Sequence, residues 1–140
     1  MELSEELHNQ IIDLSEQGES FLEFEKYDEA LVKFQEALDL VPYPKKDWEA
    51  STWLYASIGD TLFSKQLYKE SLNAFLDAYN CPDGTNNPFV NLKLGECYFE
   101  LEEFEKAKEY LLRTYMLEGD EIFEEEEEED KYINELINNN

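Results

Sequence analysis

An internal repeat runs through this sequence, and a period between 20 and 50 residues decides the architecture ahead of any local feature. The repeat is marked by three glycines, Gly18, Gly59 and Gly95. Each is followed nine positions later by an aromatic residue and three positions after that by a small one. The aromatic residues are Tyr27, Tyr68 and Phe104, and the small ones are Ala30, Ser71 and Ala107. The pattern predicts three copies of a helix, a tight turn and a second helix.

The second half of each copy carries an apolar stripe at helical spacing. Large residues lie four positions after the small ones, and further small residues lie three positions beyond; these are Phe34, Phe75 and Leu111, then Ala37, Ala78 and Thr114. Paired helices need a small residue where the backbones approach and a large one that fills the gap opposite. The offsets therefore favour stacked helical hairpins.

The segment FLEFEKYDEALVKFQEALDLVP, residues 21–42, closely resembles the tetratricopeptide repeat, with Tyr27, Ala30, Ala37 and Pro42 in the expected order. Residues 98–117 repeat the pattern. The resemblance implies an all-α fold, an α-solenoid of three tetratricopeptide-like helical hairpins in a single domain over residues 1–140. The units cover approximately 11–44, 52–83 and 88–119.

The predicted helices are 4–24, 27–40, 47–64, 67–79, 88–101 and 104–117. The glycine landmarks are 41 and 36 residues apart, longer than the regular 34, and the insertions fall in the loops VPYPKKD and CPDGTNN. Terminal repeats need an outer cap, so we expect the acidic segment 120–140 to supply a C-terminal capping helix over about 120–137. Its apolar residues at helical spacing are Ile122, Phe123, Tyr132, Ile133, Leu136 and Ile137.

One departure from the resemblance predicts an irregular third unit. Leu14, Tyr55 and Asn91 stand where this repeat often has a tryptophan. Because Asn91 is polar, we expect the first helix of the third unit to pack less tightly.

The charge balance excludes several classes of partner. The chain has 35 Asp and Glu against 11 Lys and Arg, a formal net charge of −24. Nucleic-acid binders need a basic footprint and anionic membranes attract basic segments, so we expect neither partner. The sequence shows no apolar run long enough to span a membrane and no signal peptide, and it has only two cysteines. These features favour a cytoplasmic protein.

The sequence offers little for catalysis or metal binding. His8 is the single imidazole and has no partner for a triad or a metal site. Cys81 and Cys97 have no histidines to complete a zinc site, so buried thiols are expected. The acidic run Glu118–Asp130 lacks the ligand spacing of a calcium loop. We therefore predict a protein that is not an enzyme and uses no cofactor and no metal.

Solenoids usually bind partners on a concave surface lined by the first helix of each unit. Carboxylates beside aromatic rings on that surface suit a basic partner. The alternative is that the rings pack between units. The candidate partner-binding residues are Glu19, Glu23, Trp53, Asp60, Phe63, Phe89, Glu96 and Glu100.

The leading hypothesis is a non-catalytic protein-binding module for a basic protein. Its size, repeat and charge resemble those of small bacterial immunity proteins that neutralise toxins, commonly basic nucleases. The clamp that other tetratricopeptide proteins use for acidic carboxyl termini is rejected, because Lys93 is the one cation among the corresponding positions, which include Ser15, Glu19, Ser57 and Phe89. The alternative is an adaptor or co-chaperone-like scaffold, or a self-assembling solenoid; the oligomeric state is open.

Overall fold

The computed structural model describes residues 2–119 and Tyr132. Within these residues the chain forms six α-helices and one 3-10 helix. The α-helices are α1 (Glu5–Glu23), α2 (Tyr27–Leu40), α3 (Glu49–Ser64), α4 (Tyr68–Tyr79), α5 (Pro88–Glu100) and α6 (Phe104–Glu118), and the 3-10 helix is Lys45–Asp47. Each predicted helix is confirmed to within two residues at both ends. None of the helices in this described part has the length and apolar character needed to cross a bilayer.

The helices form three antiparallel hairpins, α1 with α2, α3 with α4, and α5 with α6. Neighbouring hairpins join where α2 contacts α3 and α4 contacts α5. An ion pair between Lys65, at the end of α3, and Asp28, in the first turn of α2, also links the first two hairpins. The expected α-solenoid of three hairpins is confirmed.

Close helix packing explains the glycine landmarks. A Cβ atom added at Gly59 would lie 2.7 Å from the ring of Phe75. An added Cβ atom would lie at the same distance from the Phe34 ring at Gly18, and from the Leu111 side chain at Gly95. The large residues predicted to fill the gaps are all fully buried. In each hairpin, therefore, a glycine of the first helix packs directly against a bulky side chain of the second helix.

The expectation of loose packing for the first helix of the third unit is wrong. All residues from Val90 to Tyr98 on α5 are buried. Asn91 is accommodated because its Nδ2 donates hydrogen bonds of 2.9 Å to the backbone oxygens of Thr85 and Asn87. The polar residue thus ties the preceding loop to the helix.

The predicted capping helix over 120–137 lies outside the described residues apart from Tyr132. That ring is 3% exposed and packs against Leu92, Phe99 and Leu111 of the last hairpin. The Tyr132 hydroxyl donates a hydrogen bond of 3.1 Å to Glu100 Oε1. At this one residue, the segment after α6 covers apolar surface of the third hairpin.

Candidate functional site

Three of the predicted binding residues, Trp53, Asp60 and Phe89, line one groove of about 440 Å³, which we name the Phe89 groove. It lies between α3 and the start of α5, beside the loop that joins α4 to α5. Among its other lining residues are Glu49, Pro82 and Asp83. The structure thus assembles the groove from two first helices and one loop.

The Phe89 groove combines aromatic surface with negative charge. Its walls include the Trp53 and Phe89 rings, and its carboxylates are Glu49, Asp60 and Asp83. The described residues that line it include neither lysine nor arginine. Such a surface attracts cations through both ring faces and carboxylates.

Local packing holds the Phe89 ring in place. Phe89 is the second residue of α5, which begins at Pro88 after the N-cap residue Asn87; the Asn87 side chain accepts a hydrogen bond from the Val90 amide at 3.1 Å. The Phe89 ring contacts the fully buried Phe75 ring edge to face, with centroids 6.0 Å apart. Phe89 still leaves 38% of its surface exposed. A fixed, exposed ring loses little conformational entropy when a ligand binds.

The loop between α4 and α5 is held against α3, which places Asp83 in the groove. Thr52 Oγ1 donates a hydrogen bond of 2.8 Å to the carbonyl oxygen of Pro82. Asp83 adopts a left-handed backbone conformation with φ 61°. The next residue, Gly84, packs so closely that an added Cβ would lie 2.0 Å from the Ala78 carbonyl oxygen. These contacts fix the backbone of Asp83 beside the groove.

Lys93 occupies a buried cation site next to the groove. It is 5% exposed, and its Nζ lies 3.0 Å from Glu96 Oε1 and 3.6 Å from Asp60 Oδ1. The same atom lies 4.3 Å from the centroid of the Phe63 ring and 5.9 Å from that of Phe89. Phe63 and Asp60 therefore meet around a lysine of the chain itself.

Glu96, predicted as a partner-binding carboxylate on the concave surface, is instead buried, with 1% of its surface exposed. Burial of a carboxylate needs a compensating charge, and Lys93 supplies one. A charge reversal at Glu96 would therefore disturb folding, so it is unsuitable as a test of partner binding.

The remaining acidic candidates lie elsewhere. Glu19 and Glu23 are exposed on α1 and do not line the Phe89 groove. Glu100 is half-buried and accepts the hydrogen bond from Tyr132. A role for these three residues in binding stays a prediction.

Sequence reasoning missed Glu49 and Asp83. The predicted binding residues all lie along one face of the first helices, whereas Glu49 begins α3 and Asp83 lies in a loop. The loop carries an Asp-Gly turn signal at Asp83 and Gly84, which marks a turn but gives no hint that it contacts α3.

The two thiols are buried and free, as expected. Burial, with a smaller contribution from the Asp77 carboxylate, raises the pKa of Cys81 to about 11. Burial also raises the pKa of Cys97 to about 12. Nucleophilic cysteines need a lowered pKa, so neither thiol is suited to nucleophilic chemistry. His8 is exposed, and no three potential metal ligands converge within residues 2–119 and Tyr132.

Several solved tetratricopeptide domains have the same arrangement of hairpins. The C-terminal tetratricopeptide-containing domain of a Plasmodium falciparum protein described as FK506-binding superposes with a TM-score of 0.77 at 20% identity, over 98% of this chain and 95% of that one. The first such domain of Spaghetti (RPAP3), bound to the HSP90 peptide SRMEEVD, gives 0.73 at 20% identity, over 93% and 92%. The chain has the tetratricopeptide repeat fold.

PcrH in complex with the chaperone binding region of PopB also superposes on this chain, with a TM-score of 0.67 at 18% identity, over 93% of this chain and 91% of that one. No family model matches the sequence, and no curated protein matches it. At such identities the similarity establishes the fold, whereas the groove residues must be judged on their own chemistry.

Proposed function

We propose that this chain is a non-catalytic protein-interaction module that captures a basic protein partner in the Phe89 groove. The observation that carries the proposal is the lining of that groove: rings from Trp53 and Phe89 beside the carboxylates of Glu49, Asp60 and Asp83. Other proteins of this fold are seen with bound peptides, RPAP3 with chaperone peptides and PcrH with a segment of PopB. The two free thiols fit a reducing, cytoplasmic compartment.

Complementary charge gives such a module both fast association with basic partners and selectivity against acidic ones. A net charge of −24 attracts basic proteins over distances set by the ionic strength. At the groove, a lysine or arginine side chain gains from a ring face and a carboxylate together. Acidic competitors are repelled.

The proposal is tested by native capture from the source cell at low and moderate salt, with the retained proteins identified by mass spectrometry. The informative variant combines Trp53→Ala with Asp83→Asn; asparagine tolerates the left-handed backbone at this position. Asp39→Asn is the matched control, since Asp39 is exposed on α2 and lies outside the Phe89 groove. We expect one basic protein to be retained by the wild type and the control and lost by the double variant. Equal retention by all three removes the groove from the proposal.

Within this proposal, the finer hypothesis is an inhibitor of a basic toxin, such as an immunity protein that covers the cationic substrate groove of a nuclease. The small size, the repeat architecture and the acidic charge support it. If the captured partner is a nuclease, adding the chain at equal molar amounts should abolish its activity. Full activity in the saturated complex contradicts inhibition and leaves an adaptor or scaffold role.

We propose that acidic carboxyl-terminal peptides do not bind here. The RPAP3 domains are seen with peptides ending in EEVD. In this chain, Lys93 is buried beside Glu96, and the carboxylates of the Phe89 groove would repel such a peptide. Isothermal titration with SRMEEVD should show no binding; binding at micromolar concentrations contradicts this expectation.

A self-assembling solenoid is a second candidate function, favoured by an apolar surface on α6. Four large apolar side chains there are exposed: Leu112, Tyr115, Met116 and Leu117. Exposed apolar patches mark interaction surfaces. Light scattering during size-exclusion chromatography separates the candidates: assembly predicts a mass that rises with concentration and falls in Met116→Glu, whereas a simple binding module stays monomeric.

A further inference from the structure

A second groove of about 490 Å³ lies beside the Phe89 groove, and we name it the Trp48 groove. The two grooves share Glu49, Trp53 and Pro82 as lining residues. The Trp48 groove extends toward the start of α1, where His8 lines it, while the Phe89 groove reaches the start of α5. The two therefore form one elongated depression with Trp53 between its halves.

Both halves have the same kind of lining. The Trp48 groove adds the carboxylates of Glu2 and Asp47 to the shared Trp53 and Glu49, and part of its wall is Trp48, which is buried in the core with 9% of its surface exposed. As in the Phe89 groove, its described lining residues include no lysine or arginine. Each half thus offers the shared Trp53 ring and several carboxylates, and the Phe89 groove adds the exposed Phe89 ring.

The chain itself shows how a cation sits in such surroundings. The Lys93 ammonium lies over the Phe63 ring, within 6 Å of the Phe89 ring centroid, and beside two carboxylates. Because Phe89 also faces the groove, this arrangement is a local precedent for a basic side chain held between rings and acids.

We infer that the partner enters as an extended segment with two basic side chains, one in the Phe89 groove and one in the Trp48 groove, on either side of Trp53. The inference rests on the proposed function and specifies the ligand of the same site. A single side chain fills only one half of the depression. Two linked side chains gain affinity because the first contact raises the effective concentration of the second.

The test uses labelled synthetic peptides of twelve residues with a glycine and serine background. One peptide carries a single arginine, and a series carries two arginines separated by zero to six residues. Anisotropy at low salt gives the dissociation constants. In NMR spectra, a change in the Trp48 indole signal reports occupation of the Trp48 groove, whereas Trp53 lines both grooves and responds to either. One spacing should bind about tenfold more tightly than the single-arginine peptide, as expected for one added charge-assisted contact. If net charge alone governed binding, all the two-arginine peptides would have the same dissociation constant.

Single substitutions separate the two halves. Asp83→Asn removes a carboxylate from the Phe89 groove and Asp47→Asn removes one from the Trp48 groove. Each should weaken binding of the preferred two-arginine peptide roughly three- to tenfold, while Asp39→Asn, which removes one charge away from both grooves, should change it by less than about twofold. Circular dichroism melting confirms that the variants fold.

The possible outcomes distinguish the inference from the proposed function. A preferred spacing, with both groove variants weakened, supports two subsites. Equal affinity at every spacing, or an effect of Asp83→Asn with none of Asp47→Asn, overturns the two-subsite inference and leaves the binding module standing. Failure of every basic peptide to bind at low salt overturns the two-subsite inference, and the proposed function falls only if native capture also retains no basic protein.

Discussion

The turns inside the three hairpins place non-glycine residues in the left-handed backbone region. Glu25, Gln66 and Glu102 have φ values of 56°, 63° and 62°. This conformation costs about 1–2 kcal/mol for a residue with a side chain. Each hairpin therefore carries local backbone strain that its helix packing outweighs.

Replacing Gln66 by glycine should stabilise the protein. Gln66 is exposed, so its side chain contributes little packing. Relief of the left-handed strain outweighs the extra backbone entropy of glycine, and we expect a gain of about 0.5–1 kcal/mol in the free energy of unfolding. Urea denaturation measures the change. Gln66→Ala is the control, since alanine keeps the strain; a similar gain in both variants contradicts this explanation.

The Cys97 thiol should make the protein less stable in alkali. Burial raises its pKa from an ordinary value near 9 to about 12, and its Sγ lies 3.4 Å from the Ser71 hydroxyl. Between pH 9 and 12 the unfolded chain has lost this proton while the folded chain keeps it. The free energy of unfolding therefore falls as pH rises, by up to about 1.4 kcal/mol per pH unit.

Denaturation of the wild type and Cys97→Ala between pH 8 and 10.5 isolates this effect. Burial raises the pKa values of Cys81, Tyr55, Tyr98 and Tyr110 as well, and these groups titrate in both proteins. The wild type should lose stability more steeply above pH 9. Parallel curves would mean that Cys97 ionises in the folded protein as readily as in the unfolded chain.

At the scale of elements, the glycine inside each hairpin sets the distance between its helices. Gly59→Ala puts a methyl group 2.7 Å from the Phe75 ring, and Phe75 is fully buried, so the helices or the ring must shift. We expect a loss of about 1–3 kcal/mol, although alanine favours helix. The measurement is the melting temperature of Gly59→Ala, compared with that of Asn73→Ala, a control substitution at an exposed position on α4. A melting temperature no lower than that of the control would show that the hairpin tolerates a wider spacing.

The third hairpin depends on a residue outside its two helices. The Tyr132 ring packs on Phe99 with centroids 5.3 Å apart, and its hydroxyl binds Glu100. Tyr132→Ala should lower the free energy of unfolding by about 3 kcal/mol, whereas Tyr132→Phe should cost about 1 kcal/mol. Urea denaturation distinguishes the two. If Tyr132→Ala changes stability by less than Tyr132→Phe, the packing contributes nothing and the segment does not act as a cap.

The sequence predicted the helices well because their signals repeat. Glycine, aromatic and small residues recur at fixed offsets in all three hairpins, so each copy supports the others. The site was less predictable, since Asp83 reaches the groove through a hydrogen bond from Thr52 to Pro82, 30 residues apart. Glu96 was misjudged because spacing along α5 does not show that the whole helix is buried.

At the scale of the whole molecule, negative charge extends well beyond the grooves. Exposed carboxylates such as Glu29, Asp39 and Glu70 lie on α2 and α4 and line neither groove. Such charges act on a basic partner through their field, which steers its approach, whereas contacts inside a groove decide how long it stays. The outer carboxylates should therefore act on the association rate constant, and the groove contacts on the dissociation rate constant.

Neutralising Glu29, Asp39 and Glu70 together should slow association of the preferred two-arginine peptide and leave its dissociation rate nearly unchanged. Asp83→Asn should do the opposite and speed dissociation roughly three- to tenfold. Stopped-flow fluorescence at 20 mM and 500 mM salt measures both rate constants. At the higher salt the screening length falls below about 5 Å, so the triple variant and the wild type should associate at the same rate. A faster dissociation of the triple variant would mean that the outer carboxylates contact the ligand directly, and a difference in association that survives high salt would rule out steering by the field.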